Sequence, residues 1–256
     1  MKKLAFTLAE VLLVIAIIGT VSVLTVNNAV KSSNTAEKIT SLKKTYDILQ
    51  TAFMAGMDKG GAIDKWGYAL DNNTNGNSNL VTKFLTPNLK LQKDCGTSTG
   101  CWKTGAKSTA YQGGQSVTFD TDTNWYKFIL ANGASVAIRF DFINTRTSGS
   151  SIGGDYHIEP VDQGAHNDPN GAIFVDVDGP NKSASKAGDD LYLFYITSDG
   201  IVPAGVEYGI RINTEDACPE YGEACTAWAF YKGNQDYFRC PKNLSWTDPN
   251  KTHCEE

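Results

Sequence analysis

Apolar and polar positions follow three different rhythms along this chain. From Val11 to Val30 there is no charge, and most residues are apolar. As a helix, that run is roughly 30 Å long, the thickness of a bilayer core. From Ile39 the rhythm changes. Ile39, Leu42, Tyr46, Leu49, Phe53 and Met57 recur at steps of three and four, which puts them on one face of a helix. Lys38, Lys43, Lys44 and Asp47 fall elsewhere. The segment from Asn34 to Met57 is therefore predicted to be an amphipathic helix with its stripe buried on a sheet. Asn34, with Glu37 three residues on, reads as an N-cap pair that would break the helix from the run before it. Gly60-Gly61 reads as the stop.

The third rhythm is alternation. WYKFILA (Trp125–Ala131) and ASVAIRFDF (Ala134–Phe142) flank Asn132-Gly133, a strong hairpin signal. Val136, Ile138, Phe140 and Phe142 give that hairpin one apolar face. Ala172–Gly179 and Leu191–Thr197 read as further strands, and Asp199-Gly200 turns into a short one at Ile201-Val202-Pro203. DNNTNGNSN (Asp71–Asn79) and NTRTSGSSIGGD (Asn144–Asp155) read as surface loops. VTKFLTPNLKLQ holds a short helix before Pro87. A helix followed by consecutive antiparallel strands predicts an α+β fold, with the helix on one face of the sheet.

The lone acid of the N-terminal segment changes the picture. MKKLAFTLAE precedes the uncharged run, so Glu10 stands at its edge. A carboxylate inside a membrane helix costs about 2.5–3.5 kcal/mol on insertion scales, which calls for a partner. Cleavage between Ala5 and Phe6 would free an α-ammonium four residues before Glu10. The two charges would then pair within one chain or between neighbouring chains. Pairing between chains also sets register, because a shifted neighbour leaves both charges unpaired in apolar surroundings. Lys2 and Lys3 place the N-terminus on the cytoplasmic side.

The leader and AFTLAEVLLVIAIIG resemble the class III signal of the type IV pilin and type II secretion pseudopilin family. The resemblance implies a prepilin peptidase that cuts after Ala5 and N-methylates Phe6, with Glu10 as the fifth mature residue. It also implies a leader (1–5), a transmembrane and assembly helix (6–30) and a periplasmic or extracellular globular domain (31–256). The chain would sit in the inner membrane as a single-pass protein, and its partners would be copies of itself or related subunits. The chain departs from the family pattern at Ala5, usually glycine, at Ala9, often a large aliphatic, and at Asn27, often proline. An ordinary secretory signal fits less well, since no A-x-A site follows the run before Lys31. A membrane-anchored extracellular enzyme or carbohydrate-binding module is the alternative.

Six cysteines, Cys95, Cys101, Cys218, Cys225, Cys240 and Cys254, are expected outside the membrane, where oxidation is permitted. Proximity suggests the pairs Cys95–Cys101, Cys218–Cys225 and Cys240–Cys254, each contributing about 2–3 kcal/mol in the chain-entropy model. A zinc site is disfavoured: there is no C-x-x-C, and His157, His166 and His253 form no ligand pattern. VDVDGPNKSASKAGDD offers Asp176, Asp178, Asn181, Asp189 and Asp190 as oxygen ligands for calcium. It also resembles an aspartate- and glycine-rich turn of many pilin-like chains. The other reading of that stretch is a strand–loop–strand connection whose aspartates cap turns. Trp228, Phe230, Tyr231, Tyr237, Phe238 and Trp246 would form either a small core under disulfide loops or a binding face. The net charge is −5, with no dense basic block after the leader, so no nucleic-acid partner is expected. No nucleophile, zinc-protease or phosphate-loop motif is present, and no enzyme is expected.

Overall fold

The structure, a computed structural model, describes residues 8–66, 74–102, 119–140, 171–181, 185–197, 200–205, 218 and 225–255. Side chains are described from residue 34 on, apart from those of 64 and 74–76. Helix α1 is assigned over Leu8–Gly60. The chain divides within it into two compact units, Met1–Glu37 and Lys38–Glu256. Ala5 and Phe6 lie outside the described residues, as do the side chains of Glu10 and of the Val11–Val30 run. Among the described residues no helix is long and apolar enough to cross a membrane. Asn34 and Glu37 carry helical backbone, so they do not act as the expected cap: a residue caps only where the chain before it is not helical.

In the second unit the predicted stripe is the buried face of the helix. Ile39, Leu42, Leu49 and Phe53 are buried, and Tyr46 and Met57 pack against the same core half-buried. Gly61, at φ 77°, ends the helix as expected, its N–H donating to Met57 O at 2.8 Å. The last turn is glycine-lined for a reason. A Cβ on Gly56 or Gly60 would press into Trp66 and Phe84, whose rings stack at 4.3 Å against it.

The stretch read as a loop over Asp71–Asn79 is helical from Thr74 (α2, Thr74–Leu80), while residues 71–73 lie outside the described residues. Local propensity is overridden there by a tertiary anchor. Asn77, 5% exposed, donates Nδ2 to Ile138 O (3.1 Å) and Asn124 O (3.3 Å), and its Oδ1 accepts from Phe140 N (3.2 Å). The side-chain amide thus pairs with strand groups past the point where the neighbouring strand stops. A π-helical turn (Val81–Leu85) follows, the short helix expected before Pro87, and Pro87 itself lies in the 3-10 turn (Thr86–Asn88) after it.

Among the described residues, six strands pair antiparallel in chain order: β1 (Leu91–Gly96), β2 (Tyr126–Leu130), β3 (Ser135–Arg139), β4 (Gly171–Asp176), β5 (Leu191–Thr197) and β6 (Gly200–Pro203). The fold is α+β, a helix packed on an antiparallel sheet. Strand β1 has no counterpart among the elements expected from the sequence: Gln92, Lys93 and Asp94 are all exposed, so it shows no alternation. Its pairing to β2 shifts register twice, as is common at sheet edges. The β2–β3 hairpin forms around Asn132-Gly133, with the four residues Ala131–Ala134 joining the strands. Gly133 N donates to Leu130 O (2.9 Å) and Gly133 takes φ 91°, a turn followed by a left-handed residue. The opposite edge is closed by α1: Gln50 Oε1 accepts from Ile201 N (2.9 Å), and Tyr46 Oη donates to Ile201 O (3.3 Å).

Both faces of the sheet are buried, where one apolar face is expected. Phe128, Leu130, Val136, Ile138, Ile173, Val175, Phe194 and Ile196 share one core with Leu42, Leu49 and Phe53 of α1. Ile129, Ala137, Phe174, Leu193 and Tyr195 meet a second layer of Trp102, Phe119 and Trp125, brought in by the loops before β2. The five residues of β2 are therefore all buried, the charged Lys127 among them.

Candidate functional site

The sequence nominates three places: the N-terminal processing segment, the aspartate-rich β4–β5 connection and the C-terminal aromatics. The first lies outside the described residues. The second is a turn assembly built from its own carboxylates. Asp176, 3% exposed at the end of β4, accepts at Oδ1 from Asp178 N (3.0 Å) and Gly179 N (3.1 Å) and at Oδ2 from Ser185 Oγ (2.5 Å). Asp190, also buried, accepts from Lys186 N at 2.6 Å. Asp189 points to α1 and pairs with Lys38 Nζ at 2.7 Å. Asp178 is half-buried, and Asn181 is exposed.

Two carboxylates cap inward and one pairs outward. Among the described residues no group of three or more His, Cys, Asp or Glu is placed to hold a metal ion. The arrangement is the one in which aspartates cap turns.

Burial raises the Asp176 carboxyl from 3.8 to about 7, against the hydrogen bond from Ser185, and the charge of Asp190 adds to the rise. Burial likewise raises Asp190 to about 6, opposed by Lys186 N–H and helped by Asp189. A carboxyl with a raised folded-state pKa stabilises the fold fully below its unfolded pKa. That contribution is lost as pH rises to the folded value. Between pH 3.8 and about 7, Asp176 is therefore expected to lower stability progressively, by at most about 4 kcal/mol at about 1.4 kcal/mol per unit. Asp176→Asn keeps an acceptor for the turn amides and removes the ionisation. Denaturant midpoints measured across this range should fall less steeply for the variant, which at about pH 8 should equal or exceed the wild type. A slope identical to wild type would refute the assignment.

This connection also joins the sheet to the C-terminal segment. Gln235 Nε2 donates to Asp189 O (2.6 Å), Tyr192 Oη (2.7 Å) and Gly188 O (3.1 Å). Tyr192 Oη donates to Asp189 O at 2.8 Å, and Tyr237 Oη donates to Gly188 O. Burial pushes both phenols well above their usual value, so they stay protonated and act as donors. On α1, Ser41 Oγ donates to Val177 O at 3.4 Å.

The C-terminal segment is organised by helix α3 (Cys225–Lys232) and by disulfides. The cysteines pair with their sequence neighbours: Cys95–Cys101, Cys218–Cys225 and Cys240–Cys254. Trp228 and Tyr237 are buried, and Phe230, Phe238 and Trp246 pack half-buried on the same core. Trp246, inside the Cys240–Cys254 loop, meets Trp228 edge-on at 4.9 Å. Lys232 Nζ lies 5.8 Å from the Trp228 ring and 5.5 Å from the Trp246 ring. Trp228 Nε1 donates to Asn234 Oδ1 at 2.9 Å. Most of the aromatics thus join the core shared by α1 and the sheet, and Tyr231 is the exposed one, at 58%.

A surface groove of about 510 Å³ runs between Lys44, Ile48 and Thr51 of α1, Lys90 before β1 and the hairpin tip at Ala131-Asn132. Sequence reasoning missed Asn77, Gln235 and Lys127, whose polar side chains hold backbone from other parts of the chain. Only Lys127 leaves a trace in the sequence, as a lysine inside the apolar run YKFIL. Compared with protein-family models, curated proteins and solved structures, the chain finds no match.

Proposed function

We propose that this chain is a pilin-like structural subunit, trimmed by a prepilin peptidase and polymerised through its N-terminal helix. The fibre is a type II secretion pseudopilus or a type IV pilus-like filament. The observation that carries the reading is the sequence KKLAFTLAE ahead of an uncharged run of bilayer length, with Glu10 as the lone acid. An α+β body with a helix laid on an antiparallel sheet, stapled by disulfides, is consistent with it.

The work of such a subunit is assembly. Lys2 and Lys3 hold the precursor's N-terminus in the cytoplasm, and the body stands outside. After cleavage, the Val11–Val26 face leaves lipid for a core of like helices. Lipid is as apolar as those helices, so packing and the Phe6–Glu10 charge pair decide the association. Partners are copies of this chain or related subunits, the inner membrane and the peptidase. No cofactor enters this mechanism.

Mass spectrometry of the N-terminus of protein purified from cells with an active prepilin peptidase tests the proposal. The expected terminus is N-methylated Phe6. A chain still beginning at Met1 would overturn the reading and favour a membrane-anchored enzyme or sugar-binding module.

A further inference from the structure

We infer that the Lys127 ammonium fills a cation site built into the fold and acts as the latch that holds the outer layer of loops on the sheet. Lys127 is the second residue of β2, fully buried, opposite Ala137 of β3 and Gly96 of β1. Its Nζ donates to three backbone carbonyls: Asp122 O at 2.8 Å, Thr97 O at 3.1 Å and Asp120 O at 3.1 Å. An ammonium carries three donors and no acceptor, so the match is complete. A neutral amine would turn its lone pair on a carbonyl. Burial works against the charge, and the carboxylates of Asp120 and Asp122 work for it.

The three carbonyls belong to segments that no disulfide joins. Thr97 lies in the loop closed by Cys95–Cys101. Asp120 and Asp122 lie in the turn that leads into β2. The buried Asp120 side chain repeats the link, accepting at Oδ1 from Gly100 N (2.6 Å) and Trp102 N (3.4 Å). Above this latch lies the aromatic layer. Trp102 meets Phe119 at 4.7 Å, and Phe119 meets Phe174 of the sheet at 4.9 Å. Those rings cover the sheet face only while the two segments stay together. The disulfide shapes its own loop, and the ammonium ties that loop to the turn.

A carbonyl cage filled by a tethered ammonium should accept an untethered one. Lys127→Ala removes three methylenes and the –NH3+ group, the dimensions of propylammonium. The full chain carrying this change is titrated with propylammonium chloride and, at equal ionic strength, with tetramethylammonium chloride, which has no N–H to donate. The readouts are the denaturant midpoint and tryptophan fluorescence. The variant should lose at least about tenfold in its folding equilibrium, the scale of charged hydrogen bonds. Propylammonium should restore part of that loss saturably, and tetramethylammonium should not. Wild-type stability in the variant, or equal action of the two salts, would overturn the latch. If Lys127→Ala yields no folded protein in either salt, Lys127→Met decides, since methionine fills the volume without the charge. A loss of about tenfold or more, including failure to fold, supports the latch, and a stability equal to wild type refutes it.

Discussion

Alanine in place of Glu10 is expected to give a protein that is made, inserted and trimmed at Ala5–Phe6 and that assembles at least about tenfold less. On the proposed reading, the peptidase would read the leader and the cut, which the substitution leaves alone. Insertion is favoured, because a carboxylate near the hydrocarbon edge opposes it. Assembly loses what the acid supplied. Every subunit would carry a free Phe6 ammonium into an apolar core with no anion to meet it. A buried charge stripped of its partner is among the most destabilising changes a protein interior suffers. A loss of roughly 1.5–3 kcal/mol, the worth of a hydrogen bond to a charged group, corresponds to about ten- to a hundredfold per subunit contact. Glu10→Gln keeps the shape and one hydrogen bond and should recover little. The yield of sheared fibres relative to membrane-bound, cleaved subunit is the measurement. Wild-type yield from the alanine variant would rule out the register role.

Gly179→Ala is expected to destabilise the body by about 2–5 kcal/mol, a large effect for a single added methyl. Gly179 follows β4 and opens a 3-10 turn (Gly179–Asn181) with φ 72°, a left-handed conformation that costs an L-residue about 1–2 kcal/mol. A Cβ built there runs into Gly133 O, backbone of the β2–β3 hairpin loop, closer than real Cβ atoms approach. Neither neighbour can yield. The Gly179 amide is held by Asp176 Oδ1, and the hairpin loop is pinned by Asn132 Nδ2 donating to Thr45 Oγ1 of α1 at 2.8 Å. Overpacking of this kind adds about 1–3 kcal/mol. Gly133→Ala is the control. Its φ of 91° is also left-handed, but a Cβ there meets nothing within 4 Å, so only the backbone penalty applies. Denaturant midpoints of the two variants separate conformational strain from steric contact. Equal losses would mean that the two turns do not press on each other.

Legibility followed from how local each signal is. The stripe from Ile39 to Met57 was readable because a helix writes its buried face at a period that one segment displays by itself. The hairpin was readable from Asn132-Gly133, since few residue pairs accept a left-handed turn. Cysteine pairing between sequence neighbours needed only short loops. Strand β1 was not readable, because an exposed edge with shifted register has no alternation to show. The helix at Thr74–Leu80 hid in residues that favour loops, since Asn77 is held by strand groups over sixty residues away. The aspartates from Asp176 to Asp190 display oxygen-ligand chemistry in the sequence, and the structure adds that Asp176 and Asp190 accept turn amides.

The chain's own order of residues determined that Ile39–Met57 is helical and that the segments flanking Asn132-Gly133 are extended, which face of α1 is apolar, where oxidised pairs form and what charge stands beside the N-terminal run. Each of these depends on neighbours a few positions apart. Tertiary structure alone decided that the sheet is buried on both faces, that a lysine belongs inside it and that Gln50 and Tyr46 close its edge. Those outcomes depend on which distant backbone groups arrive unpaired at a given point, and periodicity carries no record of that. A polar side chain becomes part of the interior when a far segment brings it the acceptors it needs.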